Sequence, residues 1–447
     1  MKSIIISSDS SGSGKTTVTI GIMKALTERG FTVQGYKVGP DYIDTAFHEK
    51  ITRIPSRNLD IFLMEEEGVR ASYSRGNGDI GIVEGVMGLY DGKGIGTKYS
   101  TAHVSKLLNL PVILVMNPKG KSTTICAEIN GMIDFESVNI VGVILNNVSK
   151  SYYNLIKAAI NKNCNVEVFG FIPKDNRVSL KSRHLGLIQS SEVTDLDSRV
   201  DILGKLIVEN IDIDRMLEYF KETQDYEDRF HLKSKDMKIA VAYDEAFSFY
   251  YKENLELLNE LGEIIFFSPI HDEKLPENID FLYLGGGYPE VFIEVLSKNK
   301  TMIWDIREKL NSGLRCYAEC GGLMYLMDEI QNVKGDKSFD MVGFFKGKVF
   351  MSDKLHNFGY SSVEVVKYNQ LLKSGIKINC HEFHKSYIRS MENRVYEVTK
   401  KMYDGSEKKW ECGYYKNNTL AAYAHVHFFG NMDFIKDIVN YNSGGKL

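Results

Sequence analysis

Ile4-Ile5-Ile6-Ser7-Ser8-Asp9-Ser10-Ser11-Gly12-Ser13-Gly14-Lys15-Thr16-Thr17-Val18 is the stretch on which the fold of the N-terminal half turns. A β-branched apolar run gives way to a Gly/Ser-rich turn, which opens into the apolar-periodic segment 18–26. That strand–loop–helix order is the setting of a phosphate loop, where backbone N–H groups at a helix start face phosphate oxygens. Gly12 and Gly14 let the backbone approach closely, and Ser13 and Thr17 flank the Gly-Lys-Thr core of the candidate ATP site. Lys15 would neutralise terminal phosphate charge, and Thr16 would offer its hydroxyl to Mg2+. The usual spacing asks for glycine five residues before Gly14; Asp9 stands there, so the loop is a variant. The competing reading is a turn that only caps a helix.

Outward from this loop, short apolar runs recur between helical patterns at 3–7, 33–38, 80–83, 112–116, 140–145 and 166–169. Strands buried on both faces and separated by helices make a parallel sheet. Between about 190 and 236 the runs thin out, and 219–229 is charged and strand-free. A boundary belongs there. The rhythm restarts at 238–242, 264–267, 281–284 and 315–318, and later segments rich in Tyr, Val and Phe read as antiparallel. The expected class is α/β: a P-loop parallel-sheet domain over 1–190, a linker with connecting helices over 191–236, and a second α/β domain over 237–447.

The totals narrow the function. The 447 residues, 43% hydrophobic and 26% charged, exceed one core and suit two or three packed domains. A net charge of -4 without a basic stripe argues against nucleic acid and for small-molecule substrates. Six cysteines without a CxxC pair fit reduced thiols in a cytoplasmic protein. The apolar run at the N-terminus is too short for a signal core, and no run is long enough to span a membrane. A monomer or homodimer is expected.

Two acidic segments stand at the carboxyl ends of expected strands, where open α/β sheets bind ligands. They are Lys37-Val38-Gly39-Pro40-Asp41-Tyr42-Ile43-Asp44 and Val83-Glu84-Gly85-Val86-Met87-Gly88-Leu89-Tyr90-Asp91-Gly92. Mg2+ would take oxygen from Thr16 and from one or two of Asp41, Asp44 and Glu84, keeping its other positions for water and phosphate. The alternatives are a helix cap at Asp44 and a turn at Asp91. Asn146, closing a strand, is either an adenine-reading amide of the ATP site or a turn residue.

In the C-terminal half, Arg315-Cys316-Tyr317-Ala318-Glu319-Cys320-Gly321-Gly322 reads as a strand turning sharply into a helix with Cys320 at the bend. A helix start lowers a thiolate's energy and offers N–H groups to an oxyanion. Gly286 and Gly287, in the glycine run 285–287, and Gly321 are the candidate oxyanion and substrate-binding positions. Tyr423-Ala424-His425-Val426-His427-Phe428 supplies two histidines, either able to serve as base to Cys320. Cys380-His381-Glu382-Phe383-His384 lacks the i, i+4 histidine spacing of a helical zinc site, which leaves His381 and His384 a substrate-side or structural role.

With these motifs assembled, the chain closely resembles the cobyrinate a,c-diamide synthase family along essentially its whole length. Ser56-Arg57-Asn58-Leu59-Asp60 and Arg183-His184-Leu185-Gly186-Leu187 also carry the match. The resemblance implies a dethiobiotin-synthetase-like ATPase domain fused to a class I glutamine amidotransferase domain. It further implies that ATP, with Mg2+, phosphorylates acetate carboxylates of a tetrapyrrole and that ammonia from glutamine displaces the phosphate. It makes Cys320 the thioester nucleophile and His425 the base. Ordinary class I amidotransferases place glutamate two residues after that histidine; His427 stands there, so the third member of the triad is left without a candidate. Lys37, Tyr42, Arg183, His184, His381 and His384 are the expected contacts to the acceptor. Sister activities on nickel-sirohydrochlorin or hydrogenobyrinate are rivals. A P-loop switch with a partner-binding C-terminal domain is a rival of another class, and the Cys320 elbow speaks against it.

Overall fold

A computed structural model describes residues 1–178 and 196–440. The chain divides into two compact units, Met1–Ile61 with Val69–Asp228, and Phe62–Gly68 with Arg229–Leu447. Arg183 and His184 lie outside the described residues.

The first unit begins with β1 (Lys2–Ser8), α1 (Lys15–Glu28), β2 (Val33–Val38), α2 (Ile43–Thr52), β3 (Arg57–Leu59) and α3 (Ile61–Ser74). It continues through β4 (Ile80–Glu84), α4 (Thr101–Leu108), β5 (Val112–Met116), α5 (Thr124–Phe135), β6 (Ile140–Asn146), α6 (Lys150–Asn163) and β7 (Glu167–Ile172). These strands form a parallel sheet in the order β3-β2-β4-β1-β5-β6-β7. Ile4, Ile5 and Ile6 are fully buried, as a strand covered on both faces requires. Because β2, β4 and β1 are neighbours, the loops leaving their carboxyl ends converge on one spot.

The stretch after residue 195 supplies α7 (Leu196–Asn210), α8 (Ile213–Leu217) and β8 (Lys221–Glu222), the last pairing antiparallel with β1. Ile207, Ile211, Ile213 and Met216 join Ile4, Val18, Ile22 and Ile144 in one core. Helix α7 closes tightly on α1 at Gly21, where a Cβ would meet Ile207 Cγ1 at 2.7 Å.

The second unit carries β9 (Met237–Ala242), β10 (Phe247–Phe249), α9 (Lys252–Leu261), β11 (Gly262–Phe267), β12 (Phe281–Leu284) and β13 (Gly286–Gly287). Then come α10 (Ile293–Lys298), α11 (Lys300–Asn311), β14 (Arg315–Glu319) and α12 (Gly321–Leu326). Strands β15 (Met327–Gln331), β16 (Ser338–Asp340), β17 (Phe345–Val365), β18 (Lys377–Arg389), β19 (Arg394–Lys401) and β20 (Glu407–Lys416) follow. The described chain ends with β21 (Thr419–Ala422), β22 (His425–Val426) and α13 (Met432–Ile438). A parallel core in the order β11-β9-β12-β14-β21 continues through β20 and β19 to β17 by antiparallel pairing. Strand β18 pairs antiparallel with both β17 and β22, which sets His381 opposite His425. The α/β class and the antiparallel character of the later strands are as the sequence led us to expect.

Candidate active site

At the first unit's loop, Gly14 precedes α1 with φ 96°, a left-handed conformation that glycine adopts without penalty. Asp9, standing where glycine is usual, accepts from Ser13 Oγ at 2.6 Å and so ties the loop across itself. Lys15 Nζ donates to Ser8 Oγ at 2.9 Å and to the Met87 carbonyl at 2.6 Å. Burial, followed by the charge of Lys37, lowers the Lys15 pKa to about 8. A polyphosphate would offset both effects, because it brings negative charge to a desolvated cation. Thr17 follows in the first turn of α1. The Asn146 amide donates to the Ser13 carbonyl at 2.9 Å and lies across Gly14, so it braces the loop.

Beside the loop sits a buried charge cluster. Lys37 Nζ lies 2.5 Å from Asp44 Oδ2 and 3.0 Å from Glu84 Oε1. Thr16 Oγ1 donates to Glu84 Oε1 at 2.5 Å and is 3.5 Å from Asp44 Oδ2. For Lys37 the largest influence is burial, which opposes the charge, yet Asp44 and Glu84 outweigh it and raise the pKa. For Glu84 burial pushes upward, but Lys37 and His48 overcome it and hold the carboxylate low. Asp44 is driven well up by burial, then by the neighbouring Asp41 and Glu84 charges.

These residues fit Mg2+. A hydroxyl and two carboxylates converge, Asp44 Oδ1 is buried without a hydrogen-bond partner, and like charges crowd Asp44. Hard oxygen donors, few in number and next to a phosphate loop, are what Mg2+ takes from proteins. Asp41 is placed differently from Asp44: its Oδ1 accepts from the N–H groups of Ile43 and Asp44, at 2.8 and 2.9 Å, and caps α2. Tyr42 stands at the N-cap position of the same helix. Asp91 Oδ2 accepts from the Gly88 N–H at 2.8 Å and holds a turn.

Sequence reading missed His48. Its Nε2 meets Glu84 Oε2 at 2.8 Å and its Nδ1 meets Ser56 Oγ at 3.1 Å, extending the cluster into the Ser56–Asp60 motif. Asn58 of that motif clamps the Gly39 and Asp41 carbonyls at 2.8 and 2.9 Å. The signal was available, since Asp44 and His48 are four apart and share a helix face.

In the second unit, Cys320 takes φ 47° at the junction of β14 and α12, a strained elbow for a non-glycine residue. Its backbone is pinned by the Cys320 N–H to Ala422 carbonyl bond at 2.7 Å, and the Gly322 N–H donates to the Gly285 carbonyl at 3.0 Å. A Cβ on Gly321 would lie 3.1 Å from the Gly287 nitrogen, so the Gly321 and Gly287 backbones are in close approach. A Cβ on Gly286 would meet His425 Cε1 at 2.4 Å; only glycine lets His425 stand this near the loop.

His425 is buried and hydrogen-bonded to Cys320. Burial alone would lower its pKa, but Cys320 and Glu319 outweigh that and raise it to about 10. Its Nδ1 lies 3.4 Å from Glu319 Oε2. His427, the other sequence candidate, has a different engagement: Nε2 meets Glu253 Oε2 at 3.3 Å, and Nδ1 accepts from the Phe429 N–H at 3.3 Å. Asn254 clamps the same segment through the Val426 carbonyl and the Phe428 N–H, at 2.9 and 2.8 Å.

The remaining histidines flank this centre. His381 is driven down to a pKa of about 3 by burial and then by the His425 charge, so it is neutral. His384 stacks on Tyr423 at 3.7 Å and bonds Glu382 Oε2 at 3.0 Å and the Ser386 carbonyl at 2.8 Å. Cys316, deep in β14, has its thiol pKa raised by burial, as befits a small core hydrophobe.

The two units match two family models. Residues 4–188 match the CobQ/CobB/MinD/ParA nucleotide binding domain, and residues 238–432 match the CobB/CobQ-like glutamine amidotransferase domain. Among curated proteins, the cobyrinate a,c-diamide synthase of Clostridium tetani is 62% identical over 439 residues, covering 98% of this chain and 100% of that protein. The protein of the same description from Clostridium acetobutylicum is 60% identical over 442 residues, with 98% and 100% covered. That of Caldanaerobacter subterraneus is 43% identical over 441 residues, with 97% and 96% covered. No helix among the described residues is long and apolar enough to cross a membrane.

Proposed function

Since the chain belongs to the cobyrinate a,c-diamide synthase family, we propose that it amidates the a- and c-acetate carboxylates of cobyrinate in cobalamin biosynthesis, using ATP and glutamine or ammonia. The observation that carries this reading is the presence, in one chain, of a polyphosphate-ready cationic loop and a buried Cys320–His425 pair. Neither half alone makes an amide from glutamine.

In the first half-reaction an acetate oxygen attacks the terminal phosphorus of ATP, the bond to ADP breaks, and an acyl phosphate forms. Lys15 and the loop N–H groups stabilise charge on the transferring group. Thr16, Asp44 and Glu84 would hold Mg2+, which supplies charge neutralisation and orientation of the phosphates. Lys37, buried between the two carboxylates, keeps that cluster from repelling itself.

In the second, the Cys320 thiolate attacks the glutamine carboxamide carbon, and the oxyanion develops beside the Gly287 and Gly321 backbones. His425 gives its proton to the leaving ammonia, and water then releases glutamate from the thioester. Ammonia attacks the acyl carbon and phosphate departs. Of the residues expected to contact the acceptor, Lys37 is committed to Asp44 and Glu84, and His384 to Glu382 and Ser386, so neither is proposed for that role.

The test is turnover of purified protein with ATP, Mg2+ and glutamine against cobyrinate, hydrogenobyrinate and nickel-sirohydrochlorin, with mass spectrometry counting amides gained. Two amides on cobyrinate are expected, and best turnover on another macrocycle would reassign the acceptor. Cys320→Ala should abolish glutamine-dependent turnover while amidation by added ammonium persists; loss of both would refute the division of labour.

A further inference from the structure

A histidine that shuttles a proton to and from a thiol needs its ring fixed by a third group, so that one nitrogen faces the sulfur and the other is anchored. His427 is not placed to do this. Its two ring nitrogens are engaged by Glu253 and by the Phe429 N–H, and Asn254, next to Glu253 on α9, holds the backbone on either side. The pair Glu253–His427, fully buried, latches the segment 426–429 to α9.

The carboxylate that does reach His425 comes from the residue immediately before the nucleophile. Glu319 ends β14, is buried, and presents Oε2 to His425 Nδ1 at 3.4 Å while Oε1 accepts from the Val426 N–H at 3.3 Å. One side chain therefore lies within ion-pair range of the ring and hydrogen-bonds the backbone of the base's strand. We propose that Glu319 is the positioning carboxylate of the glutaminase site, orienting His425 toward Cys320, a role that rests on the Cys320–His425 reading above.

The other groups around the base that feel the Glu319 charge are held neutral. From β18, His381 faces His425 and is kept neutral by burial. Tyr250, Tyr283, Tyr317, Tyr396 and Cys380 all feel the Glu319 charge, and burial holds each of them protonated. Glu319 thus faces neutral groups and one cation. Its removal takes away an anion that favours protons on the Cys320–His425 pair.

The experiment compares Glu319→Gln, Glu319→Asp and Glu253→Gln, reading glutamate release against pH, the glutamine KM, and thermal melting. For Glu319→Gln the expected result is a kcat at least tenfold lower, a KM within about threefold of the parent, and an alkaline limb at least one pH unit lower. Glu319→Asp should restore part of both kcat and limb position. Glu253→Gln should melt earlier yet keep the parental alkaline limb. A folded Glu319→Gln with parental kcat and limb overturns the proposal, as does an alkaline shift in Glu253→Gln equal to that in Glu319→Gln. The pH dependence of Cys320 alkylation by iodoacetamide, located by peptide mass, needs neither glutamine nor acceptor. Its onset should fall to lower pH in Glu319→Gln even if the acceptor assignment fails, and an unmoved onset counts against the role.

Discussion

His425 is where a single residue's chemistry is most exposed to measurement. Its folded pKa of about 10 stands above the ordinary 6.5 despite burial, because Cys320 and Glu319 favour the cation. A raised histidine contributes its stabilisation in full below about pH 6.5 and loses it as pH climbs through about 10. The urea midpoint of the parent should therefore fall across that window, and His425→Gln should flatten the fall; parallel curves would show that the ring is not held charged. Other residues of the site divide by what can be read along the chain. Lys15, Thr16 and Cys320 announce themselves because their neighbours in sequence are also their neighbours in space. Glu319 stands next to Cys320 and still escaped notice. Alternation on a strand says which face a side chain takes, and only the folded approach of Glu319 Oε2 to His425 Nδ1, at 3.4 Å, shows that His425 waits on that face.

At the scale of elements, the spacing of β13 from β22 is set by one missing Cβ. Gly286→Ala would place a methyl carbon 2.4 Å from His425 Cε1, and Glu319 stands 3.4 Å from the adjoining Nδ1. Glutamate release should drop on the order of a hundredfold, as when a catalytic donor is displaced, with thermal melting little changed. Near-parental release would mean that the loop yields. The same scale explains why the short strand β3 was not anticipated. Its three residues, Arg57, Asn58 and Leu59, are too few to show a period, and they earn their place by pairing with β2 and bracing the Gly39–Asp41 turn. Helix α7 falls outside any sequence motif; it belongs with α1 because Gly21 admits Ile207 and Leu203 at close range.

For the whole molecule, two half-reactions in one chain should be coupled rather than independent. An enzyme that released glutamate freely would waste glutamine, so release should rise severalfold when ATP, Mg2+ and acceptor are all supplied, with glutamate and ADP formed in equal amounts. Equal rates with and without them would reject the coupling. Sequence alone revealed the two α/β halves and pointed to the phosphate loop, the elbow cysteine and two candidate histidine bases, because each is written in a local pattern of glycines, apolar runs and one reactive residue. Only the tertiary structure decided which acid serves which histidine. His425 and His427 alternate along two residues, yet one turns to β14 and the other to α9. It likewise decided that Asp44 joins Lys37 and Glu84 while Asp41 caps a helix. The reason is common to both: a carboxylate's role depends on the charges it meets after burial, and those come from strands and helices distant in the chain.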